Sequence, residues 1–318
     1  MIKYLLTTIL IGSLMPTGNI SDESFWEMGP EKVRKMLNEK FLAIKAETPP
    51  VFNVKNLTIT NDNRTTPLRI YIPNARKDCP IILFIHGGAW VAGNLDTHDN
   101  LARYLCNEVQ AVVVSVGYLN PPEGKFPFPL EQCNDALLWI VNHAQEFQTN
   151  ASRLAVVGDS AGGNMAAALC LLVRDRKGPS IDLQVLINPV IDNTWGGTLQ
   201  RQGDEFDAER WIATQYIINP KDTFNAYVSP NFAKDLSNLP PALIILAEKD
   251  MFRKDAQKYA DRLIASGIQT NVYTQVGVGH LAGNGARAST LARESLDVAV
   301  AGLRGVFSRK NQYQSQTE

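Results

Sequence analysis

Gly158-Asp159-Ser160-Ala161-Gly162-Gly163-Asn164 is the stretch on which the reading of this chain turns. The apolar run Leu154–Val157 leads into it, and the alanine-rich run Ala161–Arg174 leads out of it. A turn that joins strand to helix this tightly strains the serine backbone. Side chains two positions away on either side would collide, so both positions are glycine. The hydroxyl then projects above the sheet at a helix N-terminus, where free amides and the helix dipole favour negative charge. A serine in a glycine turn also fits a plain structural role. The flanking strand and helix are what favour G-x-S-x-G as a nucleophile elbow.

Outward from the elbow, strands and helices alternate. Upstream, apolar residues recur at helical spacing over 31–45, opened by Pro30 and ended by Pro49 and Pro50. Strand-like runs Phe52–Thr60 and Leu68–Ile72 follow, with Asn61-Asp62-Asn63 at the turn. Ile81–Ile85 is apolar throughout, as expected of a strand buried on both faces. Next come a helix over 97–109, a strand over 111–116 and a helix over 130–146. Downstream of the elbow helix, strands are expected at 183–187, 242–246 and 271–276, with helices over 254–265 and 286–306. This pattern predicts an α/β fold with a mostly parallel central sheet flanked by helices. Residues 192–239 break the rhythm. They show no strand and gather Trp195, Phe206, Trp211, Tyr216 and Phe224, so they read as a helical insertion placed to form a lid with the N-terminal helix. The division is then a core over 51–191 and 240–308, a cap from 19–50 and 192–239, and a polar tail over 309–318.

The chain has 318 residues, 45% apolar and 20% charged, with a formal net charge of -1. That suffices for a sizeable core, and the absence of a basic patch argues against a nucleic-acid partner. Lys3 followed by an apolar run from Tyr4 to Met15 reads as a secretory leader over 1–18, too short to span a bilayer. A periplasmic or secreted location is therefore expected, with a cytoplasmic protein carrying an ordinary N-terminal helix as the alternative. Cys79, Cys106, Cys133 and Cys170 match no metal-ligand spacing. Three sit in apolar helical stretches as small buried hydrophobes. One disulfide is compatible with export, but the sequence does not identify the pair. A homodimer is left open.

A serine needs a base, and the chain has four histidines, His86, His98, His143 and His280. In an elbow of this kind the order is serine, acid, histidine. Only His280 lies downstream of Ser160, in Gly277-Val278-Gly279-His280 past a strand end. Asp250, in Ala247-Glu248-Lys249-Asp250 after another strand end, is the leading candidate to orient it, with Glu248 and Asp255 as alternatives. Acyl transfer also needs donors for an oxyanion. His86-Gly87-Gly88-Ala89-Trp90 follows the buried strand 81–85, so the amides of Gly87, Gly88 and Ala161 are expected to supply them, with His86 bracing the loop. Trp90, Asp159, Trp195, Trp211 and Leu281 are the candidates to line a substrate pocket, core packing being an equal reading for each tryptophan.

Together these residues resemble the hormone-sensitive-lipase family of α/β-hydrolases, in its bacterial carboxylesterase branch. The resemblance rests on His86-Gly87-Gly88-Ala89-Trp90, Gly93, the Gly158–Asn164 elbow, Ser229-Pro230 and Leu239-Pro240-Pro241-Ala242, and spans most of the chain. It implies the α/β-hydrolase fold, hydrolysis of short-chain carboxylic esters without metal or cofactor, and a cap of the two segments named above. Three departures stand out. The family's Tyr-Arg-Leu-Ala-Pro-Glu is here Tyr118-Leu119-Asn120-Pro121-Pro122-Glu123, without the arginine. Asp-Pro-Leu-Arg-Asp is Asp250-Met251-Phe252-Arg253-Lys254, and His-Gly-Phe is His280-Leu281-Ala282. The same triad also serves an amidase or lactonase. A hydrolase-derived binding protein is a reading from another class, one in which the base histidine is typically lost.

Overall fold

The computed structural model describes residues 28–44, 48–75, 77–194, 208–280 and 290–314. The expected leader over 1–18, Trp195, Phe206 and Leu281 lie outside them. The first helix, α1 (Gly29–Ala43), carries proline in its first turn and buries Val33, Leu37 and Phe41, one residue per turn along a single face. Strands β1 (Asn53–Asn61) and β2 (Arg64–Ile72) pair antiparallel as a hairpin. Its turn residues Asp62 and Asn63 sit at φ 45° and 67°.

The alternating part follows: β3 (Cys79–Ile85), α2 (Asp99–Val109), β4 (Val112–Val116), α3 (Phe128–Asn142), β5 (Thr149–Asp159), α4 (Ala161–Asp175) and β6 (Leu183–Ile187). After the insertion come β7 (Ala242–Ala247), α6 (Arg253–Ala265), β8 (Thr270–Gln275) and α7 (Thr290–Gln314). The insertion's own helix is α5 (Ala208–Tyr216). The strands form one eight-stranded sheet in the order β1-β2-β4-β3-β5-β6-β7-β8. β2 runs antiparallel to β1 and β4, and every other pairing is parallel.

The sheet is covered on both faces. Ile81, Leu83 and Ile85 join one core with α1, α3, α4 and α6, while Ile82 and Phe84 join a second with α2 and α7. That division follows from side chains alternating along a strand. The parallel register sets the functional end. Ile85 pairs with Val116 and Gly158, Asp159 with Ile187, and Ala247 with Gln275. The strands therefore stop level with one another, and the loops holding His86, Ser160, Asp250 and His280 leave from the same edge of the sheet.

The structure differs from expectation in three places. β5 begins at Thr149, because Thr149 pairs with Cys79 across a register shift although its surroundings are polar. Among the described residues the insertion holds only α5 and short 3-10 turns at Pro220–Phe224 and Pro230–Phe232, so it is less helical than its aromatic content suggests. The last helix continues through the predicted polar tail to Gln314. All four cysteines are buried. No helix among the described residues is long and apolar enough to cross a membrane.

Candidate active site

The elbow is built as its glycines require. Ser160 has φ 55° and ψ −118°, a left-handed conformation costing about 1–3 kcal/mol, which persists because its surroundings hold it. Its N–H donates to the Ile187 carbonyl at 2.8 Å, and its carbonyl accepts from Asn164 N–H at 3.0 Å. A Cβ on Gly158 would meet the Gly162 carbonyl oxygen at 2.2 Å, and one on Gly162 would meet the Ile85 oxygen at 2.1 Å. Asn164 ties the elbow to its surroundings, donating to the carbonyls of Val190 (2.7 Å) and Val228 (2.8 Å).

Three predicted residues converge. Ser160 Oγ lies 2.8 Å from His280 Nε2, and His280 Nδ1 lies 2.7 Å from Asp250 Oδ2. The second Asp250 oxygen accepts the Phe252 amide at 2.9 Å, which orients the carboxylate. The His280 and Asp250 side chains are only 6% and 2% exposed, so water screens their attraction weakly. Burial pulls the imidazole pKa down, but the charge and hydrogen bond of Asp250 outweigh it, and the net value lies above the usual 6.5. Such a chain can take the serine proton onto Nε2 while the carboxylate stabilises the imidazolium.

The alternative acids are elsewhere. Glu248 accepts the Gly277 amide at 2.7 Å and so braces the histidine loop from outside, helped by Lys249 N–H donating to the Val278 carbonyl at 2.9 Å. Asp255 sits on α6, where burial and the nearby Asp192 raise its carboxyl pKa, and it makes no hydrogen bond to His280.

The loop after β3 corrects part of the donor assignment. The Gly87 amide is not free: it donates to Asp159 Oδ1 at 3.0 Å, which removes it from the predicted oxyanion donors. The amides of Gly88, Ala89 and Ala161 donate to nothing among the described residues. Gly88, Ala89 and Trp90 run at φ 122°, 55° and 58°, a turn closed by Ala92 N–H on the Gly88 carbonyl at 2.8 Å. A Cβ at Gly88 would meet the Ala92 oxygen at 2.2 Å, so glycine is required there. His86 braces the loop as expected. Its ring stacks on Tyr118 at 4.1 Å, its Nδ1 is 2.8 Å from the Gly87 carbonyl, and burial with His98 nearby pushes its pKa down to about 3.

Asp159 is likewise corrected. Predicted as a substrate contact, it is fully buried beneath this loop, holding Gly87. Trp90 is 1% exposed and stacks on Tyr216 of α5 at 5.0 Å, and Trp211 is also buried, so both pack rather than line an open pocket. An open groove lined by Pro241, Leu243, Asn271 and Gly302 lies at the opposite, N-terminal ends of β6 and β7 and carries no catalytic groups. Among the described residues no cluster of His, Cys, Asp and Glu is placed to hold a metal.

Sequence reasoning missed the helix α1 contacts. Asn38 accepts the Gly93 amide at 2.8 Å, and Arg34 binds the Glu123 carboxylate and the Pro121 carbonyl, so an arginine from another element meets the segment where Leu119 replaces the family's own. No local pattern announces either contact, since both partners are far away in the chain.

A family model described as alpha/beta hydrolase fold matches residues 82–283. An arylesterase of Saccharolobus solfataricus is 35% identical over 246 residues, covering 76% of this chain and 80% of that protein. An ethyl acetate hydrolase of Pseudomonas putida is 34% identical over 263 residues, covering 79% and 82%. Among solved structures, the hyperthermophilic esterase of Pyrobaculum calidifontis superimposes with a TM-score of 0.81 at 33% identity, over 88% of this chain and 94% of that one. Elbow, sheet order and these likenesses agree: the chain belongs to the α/β-hydrolase family, in its hormone-sensitive-lipase-like carboxylesterase branch.

Proposed function

We propose that the protein is a serine carboxylesterase acting on short-chain carboxylic esters through an acyl-enzyme. Ser160 Oγ attacks the ester carbonyl as His280 Nε2 takes its proton, and Asp250 holds the imidazole and its positive charge. The alcohol leaves with the proton from His280. Water then attacks the acyl group, His280 again taking the proton, and the acid is released. Gly88 and Ala161, with Ala89 in place of Gly87, are the amides available to the tetrahedral oxyanion.

The observation that carries this reading is the continuous Ser160–His280–Asp250 contact, at 2.8 and 2.7 Å, on a buried pair. A binding protein derived from this fold has no need of a histidine held in that position. The ester preference is supported by the names of relatives, one of them an ethyl acetate hydrolase. The test is an acyl-chain series of activated esters beside a matched anilide, run with wild type and Ser160→Ala. Acetate and butyrate esters should turn over fastest and the anilide far more slowly. Ser160→Ala should lose roughly 10⁶-fold in kcat. Wild-type turnover by that variant would sink the proposal, and preference for the anilide would move it to an amidase.

A further inference from the structure

Beneath the turn of Gly88 and Ala89 lies a charged group that the proposed mechanism leaves unused. Asp159 is 0% exposed, and its carboxyl is held below the usual range. Burial pushes it up, but His98, His86 and the Gly87 amide together outweigh that. A buried carboxylate needs a partner for each oxygen or a compensating charge. Oδ1 has the Gly87 amide. Oδ2 has no hydrogen bond among the described residues, but His98 Nε2 stands 3.6 Å away, with both side chains almost wholly buried.

The contacts of His98 narrow which protons its ring carries. Thr97 Oγ1 accepts from the Asn94 amide at 2.8 Å and lies 2.9 Å from the Asn94 carbonyl and 2.8 Å from His98 Nδ1. Its hydroxyl either keeps its proton on the Asn94 carbonyl and accepts from Nδ1–H, or donates to Nδ1 and leaves the ring proton on Nε2. A neutral ring protonated at Nδ1 would point the Nε2 lone pair at an ionised carboxylate, a repulsive arrangement. A proton on Nε2 removes the conflict and turns an N–H toward Asp159 Oδ2. The other groups around the ring are the uncharged His86, 5.3 Å away between ring centres, and the rings of Phe41 and Phe84. None of these supplies a charge.

We propose that His98 and Asp159 form a buried pair, with His98 Nε2–H facing the carboxylate, whose task is to position the oxyanion loop: Asp159 grips the Gly87 amide, which fixes the direction of the Gly88 and Ala89 amides, and His98 keeps that carboxylate in place. Neither residue touches substrate, so both are positioning residues. The far end of the same loop is held by Asn38 on Gly93, and its middle by Asn120, which donates to the carbonyls of Trp90 and Ala92. A loop fixed at both ends leaves the Gly87 contact to set the aim of the next two amides.

The inference rests on the esterase reading, and a double-mutant cycle tests it separately. His98→Leu strands the carboxylate. Asp159→Asn keeps an oxygen for the Gly87 amide and carries no charge, so it depends little on His98. We expect His98→Leu to lower kcat by about 10²-fold with KM nearly unchanged, and to weaken a trifluoromethyl ketone, whose hemiketal oxygen occupies the hole, by the same factor. Asp159→Asn should lose under about 10-fold, and adding His98→Leu to it should cost little more. Equal losses from His98→Leu in both backgrounds, or a change in KM alone, would overturn the proposal. Nitrogen-15 spectra of the wild-type protein provide a readout that does not depend on any variant folding. His98 Nε2 should carry a proton, and a ring protonated at Nδ1 alone would refute the pair. If Ser160→Ala is inactive while the His98 and Asp159 variants behave as wild type, only this inference fails. If Ser160→Ala turns over, the esterase reading itself fails.

Discussion

The 2.7 Å contact between Asp250 and His280 sets how activity and stability respond to pH. His280 must be neutral to act as a base, and its pKa is raised above 6.5 despite burial. The acid limb of kcat/KM should therefore fall with an apparent pKa above 6.5. Asp250→Asn removes the raising influence and leaves the desolvation, so the limb should move to lower pH while kcat drops roughly 10⁴-fold. A pH–rate profile of both proteins checks this, and an unmoved limb would discard Asp250 as the partner. The pair's contribution to stability is fully present below the unfolded pKa and fades as pH climbs through the raised folded value. At this scale Ser160, His280 and Asp250 were legible in the sequence, because glycine sterics and strand ends are local signals. Gly87 was misread: a glycine beside a strand end advertises a bare amide, but nothing in the sequence says that Asp159 already occupies it.

The decisive element is the β5–elbow–α4 unit, in which helix α4 is buried along almost its whole length. Its alanines and glycines let it lie close against β5, and Gly162 marks the closest approach to the β3 end. A methyl there would meet backbone oxygens of Ile85 at 2.1 Å and His86 at 2.6 Å, which cannot yield as a side chain can. Gly162→Ala should destabilise by about 1–3 kcal/mol or more. Gly305→Ala, in the exposed part of α7 with nothing within 4 Å of the new carbon, should instead stabilise by about 0.4–1 kcal/mol. Chemical denaturation of both variants distinguishes a steric role from a generic one. Strands and helices around this unit fell within a few residues of their periodic patterns. Where periodicity was absent, as at the start of β5 and the end of α7, the ends came out longer than read, because pairing and docking extend an element past its apolar residues.

In the whole molecule, one sheet carries two cores, and the cap joins the first of them at several places. Tyr216 of α5 is one of them: its ring stacks on Trp90, and its carbonyl accepts the Phe126 amide at 2.7 Å. The Tyr216 hydroxyl is buried with no hydrogen-bond partner among the described residues. Tyr216→Phe should therefore leave stability unchanged or improve it, since an unsatisfied polar group is removed. Tyr216→Ala should cost about 3–5 kcal/mol by emptying the space between cap and loop. Thermal unfolding of the two variants gives the comparison, and a large loss in Tyr216→Phe would reveal a partner for the hydroxyl. The sequence by itself determined the α/β alternation, the elbow serine and the histidine and acid after it, because spacing and glycine requirements act over a few residues. Only the tertiary structure decided that Asp159 holds Gly87, that Asn38 and Arg34 of α1 reach the loops around the site, and that Trp90 and Trp211 pack instead of lining a pocket. Those facts depend on which distant segments meet and which side chains are sealed from water, and both are settled by packing of the folded chain.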